Sequence, residues 1–397
     1  MKALIADKLS DAVLGQLSQL GFQVDYQPDL SAEQLPAVIP GCHVLVVRST
    51  QVTAETINAG QDLSLIVRAG AGVNTIDVAA ASARGIYVTN CPGRNGDAVA
   101  ELAIGLLIAC DRRIADAALQ MREGQWNKKE FGKSQGLKGR TLGIVGMGTI
   151  GQCVARRAQG LEMNVVAWSR SLTPAEADRL GVTYAESPLE VARQSDAISL
   201  HLAAAPETKH LVNAEFLAAM PDWAILINTA RGDVIDTAAL KEAIAAKRLR
   251  VGLDVFEGEP KGGVEPFADV ELARLATCTP HIGASTEQAS EAIAEETVRI
   301  IKAFRETGRP LNTVNLSAKT AATHALVVRH HNRVGVLAGV LTSLRQEGVN
   351  VEEMENTIFA GAETACATLQ LDQPPSAKLL TELLGLEHVL HVNLEAI

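Results

Sequence analysis

The 397-residue sequence predicts an α/β protein with parallel sheets and a small α+β unit at its carboxyl end, and three observations carry that reading. Short apolar runs alternate with helix-like segments through most of the chain. A glycine-rich turn, Gly146-Met147-Gly148-Thr149-Ile150-Gly151, directly follows one of those runs. The last segment, 324–397, spaces its runs as strand, helix, strand, strand, helix, strand. Strands covered on both faces read as continuous Val/Ile/Leu runs, as parallel sheets require, and the terminal spacing is the ferredoxin-like βαββαβ pattern.

In order, residues 3–6, 44–47, 65–67 and 86–89 are the first strand candidates, with a helical pattern over 10–20 between the first two. This βαβ rhythm defines a first unit with a parallel sheet. A long amphipathic stretch at 97–122 follows. A second βαβ series then begins at 142–145 and continues at 164–168, 197–200, 225–228, 252–255 and 277–279. Next comes a helix over 285–307: Ser285 and Gln288 make a capping-box start, and Gly308-Arg309-Pro310 a stop. A helix that long, placed after the last strand of the second unit, is able to run back to the first. The predicted organisation is therefore a discontinuous flavodoxin-like domain (1–96 and 285–312), a Rossmann-type dinucleotide domain inserted in it (97–284), a polar linker (313–323) and a ferredoxin-like domain (324–397). The terminal strands are expected at 325–329, 351–359, 365–371 and 389–393, and the helices at 335–347 and 377–385.

Composition excludes several classes of function. Apolar residues make up 47% and charged ones 21%, as in an ordinary globular protein, and the length asks for two or three domains. A net charge of −10 with no basic stripe argues against nucleic acid as a partner. No run reaches the roughly 18 apolar residues of a membrane span, and the first ten residues read as a strand and not as a signal peptide. Six cysteines lie singly with no CxxC pair, as reduced core residues of a cytoplasmic protein do. No spacing suggests a metal site.

In a strand–turn–helix setting each glycine of the turn has a purpose: Gly146 for the tight turn, Gly148 for close approach of a pyrophosphate, Gly151 for helix–strand packing. A carboxylate that binds the ribose 2′-hydroxyl is expected about 20 residues on. Here the next strand ends Trp168-Ser169-Arg170, with no carboxylate to repel a 2′-phosphate. The residues admit NAD or NADP.

Three strand ends in the second half each offer one reactive side chain: Arg231 in ILINTARGDVID, Glu259 in GLDVFEGEP and His281 in TPHIGAST. Ligands bind at the carboxyl edge of open α/β sheets. An imidazole there can take a hydroxyl proton, a carboxylate can orient it, and a guanidinium can grip a substrate carboxylate in two prongs. Together these groups suit the oxidation of an anionic 2-hydroxy acid by a nicotinamide cofactor.

VGMGTIG, NTARGDVID, LDVFEGEP and PHIGAST resemble the signatures of the D-isomer-specific 2-hydroxyacid dehydrogenases, over nearly the whole chain. The resemblance implies Arg231, Glu259 and His281 as the catalytic set and NAD as the cofactor. Gly146, Gly148, Thr149, Ile150, Gly151, Ser169, Arg170, Ala230 and Asp254 would line the cofactor site, with Asp254 toward the nicotinamide carboxamide. It also implies that the loop Arg68-Ala69-Gly70-Ala71-Gly72 holds the substrate carboxylate. Asn74 stands where Asp is common, and Ala203 where Pro is frequent. Within the family, Val47-Arg48-Ser49 and the segment 124–129 resemble the branch that oxidises D-3-phosphoglycerate at the entry to L-serine synthesis. There Arg48 and Lys128 would bind the phosphate, Lys128 from a partner subunit. The tail resembles an ACT domain, which implies L-serine as an effector held by His330, Asn332 and Asn350 between paired domains; Val334 replaces the usual Pro. Homodimers or homotetramers follow from the same resemblance. The alternatives are an NADP-linked glyoxylate or hydroxypyruvate reductase and, in another class, a non-catalytic NAD(H)-sensing adaptor.

Overall fold

The computed structural model describes residues 1–260, 265–317 and 320–397. Two compact units are formed, Met1–Asn315 and Leu316–Ile397. The first contains two parallel sheets. Strands β1 (Lys2–Ile5), β2 (Gln23–Tyr26), β3 (Val44–Val47), β4 (Leu65–Arg68) and β5 (Tyr87–Asn90) lie in the order β2-β1-β3-β4-β5. This is the flavodoxin-like order. Strands β6 (Thr141–Val145), β7 (Asn164–Trp168), β8 (Thr183–Tyr184), β9 (Ala197–Leu200), β10 (Ile225–Asn228), β11 (Arg250–Leu253) and β12 (Thr277–Cys278) lie in the order β12-β11-β10-β9-β6-β7-β8. The chain reverses direction across this sheet between β6 and β9, which opens a crevice at their carboxyl ends.

Burial explains why the runs became strands. Every residue of β3, β9 and β10 is buried, because helices cover both faces. Helix Gly96–Arg112 puts Ala100, Ala103, Leu106 and Leu107 into the core of the second sheet with Leu142 and Ile144. Helix Glu287–Thr307 returns to the first sheet, where Ile293, Ala294, Ile300 and Ile301 join Ile5, Val44, Val46 and Val67. Each large aliphatic side chain so buried contributes about 1.5–3 kcal/mol. The second sheet is thus an insertion into the first domain.

Several expectations need correction. The amphipathic stretch at 97–122 is two helices, Gly96–Arg112 and Ile114–Arg122, broken where Arg113 takes the left-handed conformation (φ 51°). Its guanidinium holds the break by pairing with Glu130 at 2.6 Å and Asp116 at 3.3 Å and stacking over Phe131. The long helix is capped by Thr286, whose hydroxyl accepts from the Ala289 N–H at 3.1 Å, and not by Ser285. Strand β2 was unread because its edge position leaves Gln23-Val24-Asp25-Tyr26 unburied; β8 has only two residues. Part of the expected linker is anchored. Thr313 bridges Thr89, the Val314 N–H donates to the Val88 carbonyl, and Asn315 accepts from the Val88 N–H. The rest of that stretch includes residues 318–319, outside the described ones.

The second unit is a four-stranded antiparallel sheet of β13 (His324–His331), β14 (Val351–Ile358), β15 (Thr364–Leu371) and β16 (Val389–Ala396), ordered β14-β15-β13-β16. Helices Val336–Gln346 and Ala377–Leu384 cover one face, with Leu326, Val328, Val340, Leu344, Leu369, Leu379 and Leu383 between them and the sheet.

Glu296 ties the first domain's segments together. Its carboxylate, 2% exposed, bonds to Arg94, to Arg299 at 2.6 and 2.9 Å, and to Asn312 at 2.7 Å. The Arg299 bond above all, with Asn312 and Arg94, outweighs burial and pulls its pKa from 4.5 down to about 2. A depressed carboxylate stabilises above its unfolded pKa, and that stabilisation fades as pH falls toward 2. Glu296→Gln is expected to cost on the order of 3 kcal/mol at pH 7 in urea unfolding, and progressively less below pH 4.5.

Candidate active site

The glycine turn follows β6 at the point where the chain reverses direction. Gly146 has φ 106°, and a Cβ there would overlap the His201 carbonyl oxygen on β9's exit. A Cβ on Gly151 would overlap the Gly146 carbonyl, so the helix packs against the strand with no room for a side chain. Gly148 meets nothing within 4 Å: its side faces open space. Helix Thr149–Gly160 begins there without a side-chain cap, leaving its first N–H groups for phosphate oxygens. These features fit a dinucleotide. A Cβ on Gly93 or Gly96 would crowd the Thr149 methyl at 3.2 or 3.3 Å, and Ile150 packs against the core of this sheet. Ala230 is buried, with its N–H on the Asn228 side chain at 2.9 Å. Past β7, the Ser169 hydroxyl accepts from the Leu172 N–H at 3.2 Å, and Arg170 is exposed.

His281, Glu259 and Asp254 come together at the exits of β11 and β12. His281 Nδ1 donates to Glu259 Oε1 at 2.6 Å, which leaves Nε2 as the free ring nitrogen. Burial pushes the Glu259 carboxyl up, but the His281 bond, the Phe256 N–H and nearby Arg231 outweigh it and hold the group below its ordinary pKa. Asp254 is fully buried. One oxygen accepts from the Thr279 hydroxyl at 2.6 Å and the Ile282 N–H at 2.8 Å, the other from the Gly283 N–H at 2.8 Å. Asp254 therefore shapes the loop that carries His281.

Arg231 lies across from the first domain: a Cβ on Gly72 would stand 2.7 Å from its guanidinium. The Arg68 guanidinium folds over Gly70, whose φ of 157° and missing side chain make the space. Burial, then repulsion from Arg231 and Arg48, lowers the Arg68 pKa. Its Nε is buried with no partner among the described residues. Ala71 is fixed by the Asn90 amide at 2.5 Å, and the backbone N–H groups of Arg48, Ser49 and Thr50 converge on Asp7 Oδ2. The Arg231 and Arg68 guanidiniums thus lie along the loop 70–72, with Arg48 near enough for its charge to be felt at Arg68.

Other expected residues are not brought together. Lys128 opens the short exposed helix Lys128–Phe131, with no described contact to the arginines. His330 is 2% exposed, its ring between the His331 carbonyl and Asn356 at 2.8 and 3.2 Å. Asn332 donates to the Ala362 carbonyl, and Asn350 to Glu352. Through β15, Val351 aligns with His324 and Ile358 with His330, so Asn350 sits at the opposite end of the sheet from His330 and Asn332. That separation is roughly 20 Å at the rise of a strand. One chain cannot close this set on a single small ligand.

Two features escaped the sequence. His201, its Nε2 2.8 Å from the Ser199 hydroxyl, has a buried Nδ1 with no partner among the described residues, and burial lowers its pKa to about 3. His210 pairs with Glu257 at 2.6 Å. The first carries no motif signal, and the second joins residues 47 apart.

The NAD-binding domain of D-isomer specific 2-hydroxyacid dehydrogenases matches residues 104–283. A hydroxypyruvate reductase of Thermotoga maritima is 43% identical over 286 residues, 70% of this chain and 89% of that one. A D-3-phosphoglycerate dehydrogenase of Archaeoglobus fulgidus is 39% identical over 80% of this chain, which spans 59% of that relative's length. Among solved structures, the NAD⁺-bound 3-phosphoglycerate dehydrogenase of Entamoeba histolytica superposes with a TM-score of 0.67 at 27% identity, over 80% of this chain and 99% of that one. The chain belongs to the D-isomer specific 2-hydroxyacid dehydrogenase family. Its second sheet is the family's NAD-binding domain.

The glycines should separate by substitution. Gly148→Ala is expected to keep the melting temperature and weaken NAD(H) binding, measured by fluorescence titration. Gly151→Ala should lose both, since overpacking costs about 1–3 kcal/mol.

Proposed function

We propose that the chain oxidises D-3-phosphoglycerate to 3-phosphohydroxypyruvate with NAD⁺, the first step of L-serine formation. The convergence of Arg48, Arg68 and Arg231 carries the reading. Half-buried guanidiniums whose charges repel at Arg68, with its Nε unpartnered among the described residues, call for an anionic ligand, and three suit a substrate with both a carboxylate and a phosphate. Bound NAD⁺ supplies the hydride acceptor. His281 Nε2 takes the C2 hydroxyl proton as the C2–H bond breaks, while Glu259, held ionised, fixes the tautomer and stabilises the imidazolium. Arg231 holds the carboxylate and the C2 oxygen.

A reductase acting on hydroxypyruvate or glyoxylate is the second reading. The Thermotoga relative supports it, as does exposed Arg170 with no carboxylate beside it. A non-catalytic adaptor has no use for the 2.6 Å His281–Glu259 bond. Dimerisation is supported by the helix Ile114–Arg122 and its neighbour Trp126, where Ile114, Leu119, Met121 and Trp126 are all at least half exposed. For the tail, L-serine binding requires a second copy, because Asn350 lies far from His330 and Asn332.

Absorbance at 340 nm with D-3-phosphoglycerate, and in reverse with hydroxypyruvate and glyoxylate, tests the reading; turnover of the unphosphorylated acids alone would reject it. Arg68→Gln is expected to raise KM for phosphoglycerate about tenfold to a hundredfold, the worth of one lost charged hydrogen bond. His281→Asn should lower kcat by roughly 10²–10⁴.

A further inference from the structure

We propose that His210 and Glu257 are positioning residues: together they clamp the loop bearing Glu259 against the loop bearing Arg231, and so fix where the His281–Glu259 pair stands relative to the Arg231 guanidinium. The inference rests on the reaction assigned above.

His210 touches both loops. Its backbone N–H donates to the Asp233 carbonyl at 2.8 Å, two residues past Arg231. Its Nε2 meets Glu257 Oε1 at 2.6 Å, two residues before Glu259. The other Glu257 oxygen accepts from the N–H of Thr237 at 3.0 Å, the first residue of the helix that follows the Arg231 turn. One carboxylate thereby bonds to segments on either side of Arg231 and anchors the segment that leads into Glu259.

The backbone is arranged to serve this clamp. Val212 donates to the Val234 carbonyl and accepts from the Asp236 N–H, both at 3.0 Å, so the His210 segment runs alongside the Arg231 turn. His210 itself has φ 50°, a left-handed conformation that a non-glycine residue keeps only where its surroundings over-determine it. Gly232 presses on the backbone of Phe256, where any side chain would overlap the carbonyl. That contact sets how close the loops come but not their register. The directional bonds of Glu257 supply the register. Phe256 in turn donates its N–H to Glu259 Oε2 at 3.3 Å, so a shift of this segment moves the carboxylate that holds His281.

The test is steady-state kinetics and histidine NMR on full-length His210→Ala, His210→Gln and Glu257→Ala. His210→Ala and Glu257→Ala are expected to lower kcat about tenfold to a hundredfold, the scale of a misplacement near 1 Å, with KM for NAD⁺ unchanged. His210→Gln, whose amide can still donate to Glu257, should recover most of that loss. In the two alanine variants the hydrogen-bonded His281 Nδ1–H signal should weaken or move upfield, because Glu259 no longer accepts from Nδ1. A merely structural pair would lower the melting temperature and leave the His281 Nδ1–H signal and kcat in place, and that result overturns the proposal. Should Glu257→Ala fail to fold, His210→Ala decides, since it leaves the Thr237 bond intact. If the wild type proves inactive on every 2-hydroxy acid, the assigned reaction fails, while the His281 Nδ1–H signal still decides whether the clamp positions Glu259.

Discussion

The buried carboxylate of Asp254 is the constraint around which the candidate site is built. It is fully buried, beyond the end of β11, and both oxygens are taken by donors of the chain that leaves β12: the Thr279 hydroxyl and the N–H groups of Ile282 and Gly283. Its own carbonyl accepts from the His281 N–H at 2.8 Å. A buried charge is tolerated only when its lone pairs are filled, so this loop has little freedom. His281 is held within it at φ 51°, its ring directed to Glu259. Sheet register brings the two strand ends level, Leu253 beside Cys278, and the loop then brings the imidazole to the carboxylate.

Much of this was legible in the sequence because it rests on local rules. The fully apolar runs of β3, β9 and β10 marked buried parallel strands, and the spacing of the tail marked its four strands and two helices. The glycine turn announced its place by following β6. The reactive residues were legible as strand-end motifs, and the structure places His281 and Glu259 in contact.

What could not be read is what depends on distant partners. Arg113 breaks a helix whose apolar periodicity continues through it, because Glu130 and Phe131 meet its side chain only in the folded chain. The pairing of His210 with Glu257 and the orphaned nitrogen of His201 have no local signature. Arg68 was read only as part of its loop, whereas the fold lays its guanidinium over Gly70, within reach of the charges of Arg231 and Arg48. His330, Asn332 and Asn350 form a set only through the resemblance of the tail, and antiparallel pairing through β15 puts them at opposite ends of one sheet, where only a second copy could bring them together.

The strap at residues 312–315 has a consequence for the sheet it borders. β5 is the outermost strand on its side, and an outermost strand shows unpaired N–H and C=O groups that another chain can join. Thr313 and Val314 pair with Thr89 and Val88, and Asn315 fills the Val88 N–H with its side chain. The segment that leads to the tail thus also serves as a hem, closing a border along which molecules would otherwise stick to one another. A protein shortened after Asn315 keeps that border closed; one shortened before Asn312 lays it bare, and its solubility would suffer although every residue of the candidate active site is still present.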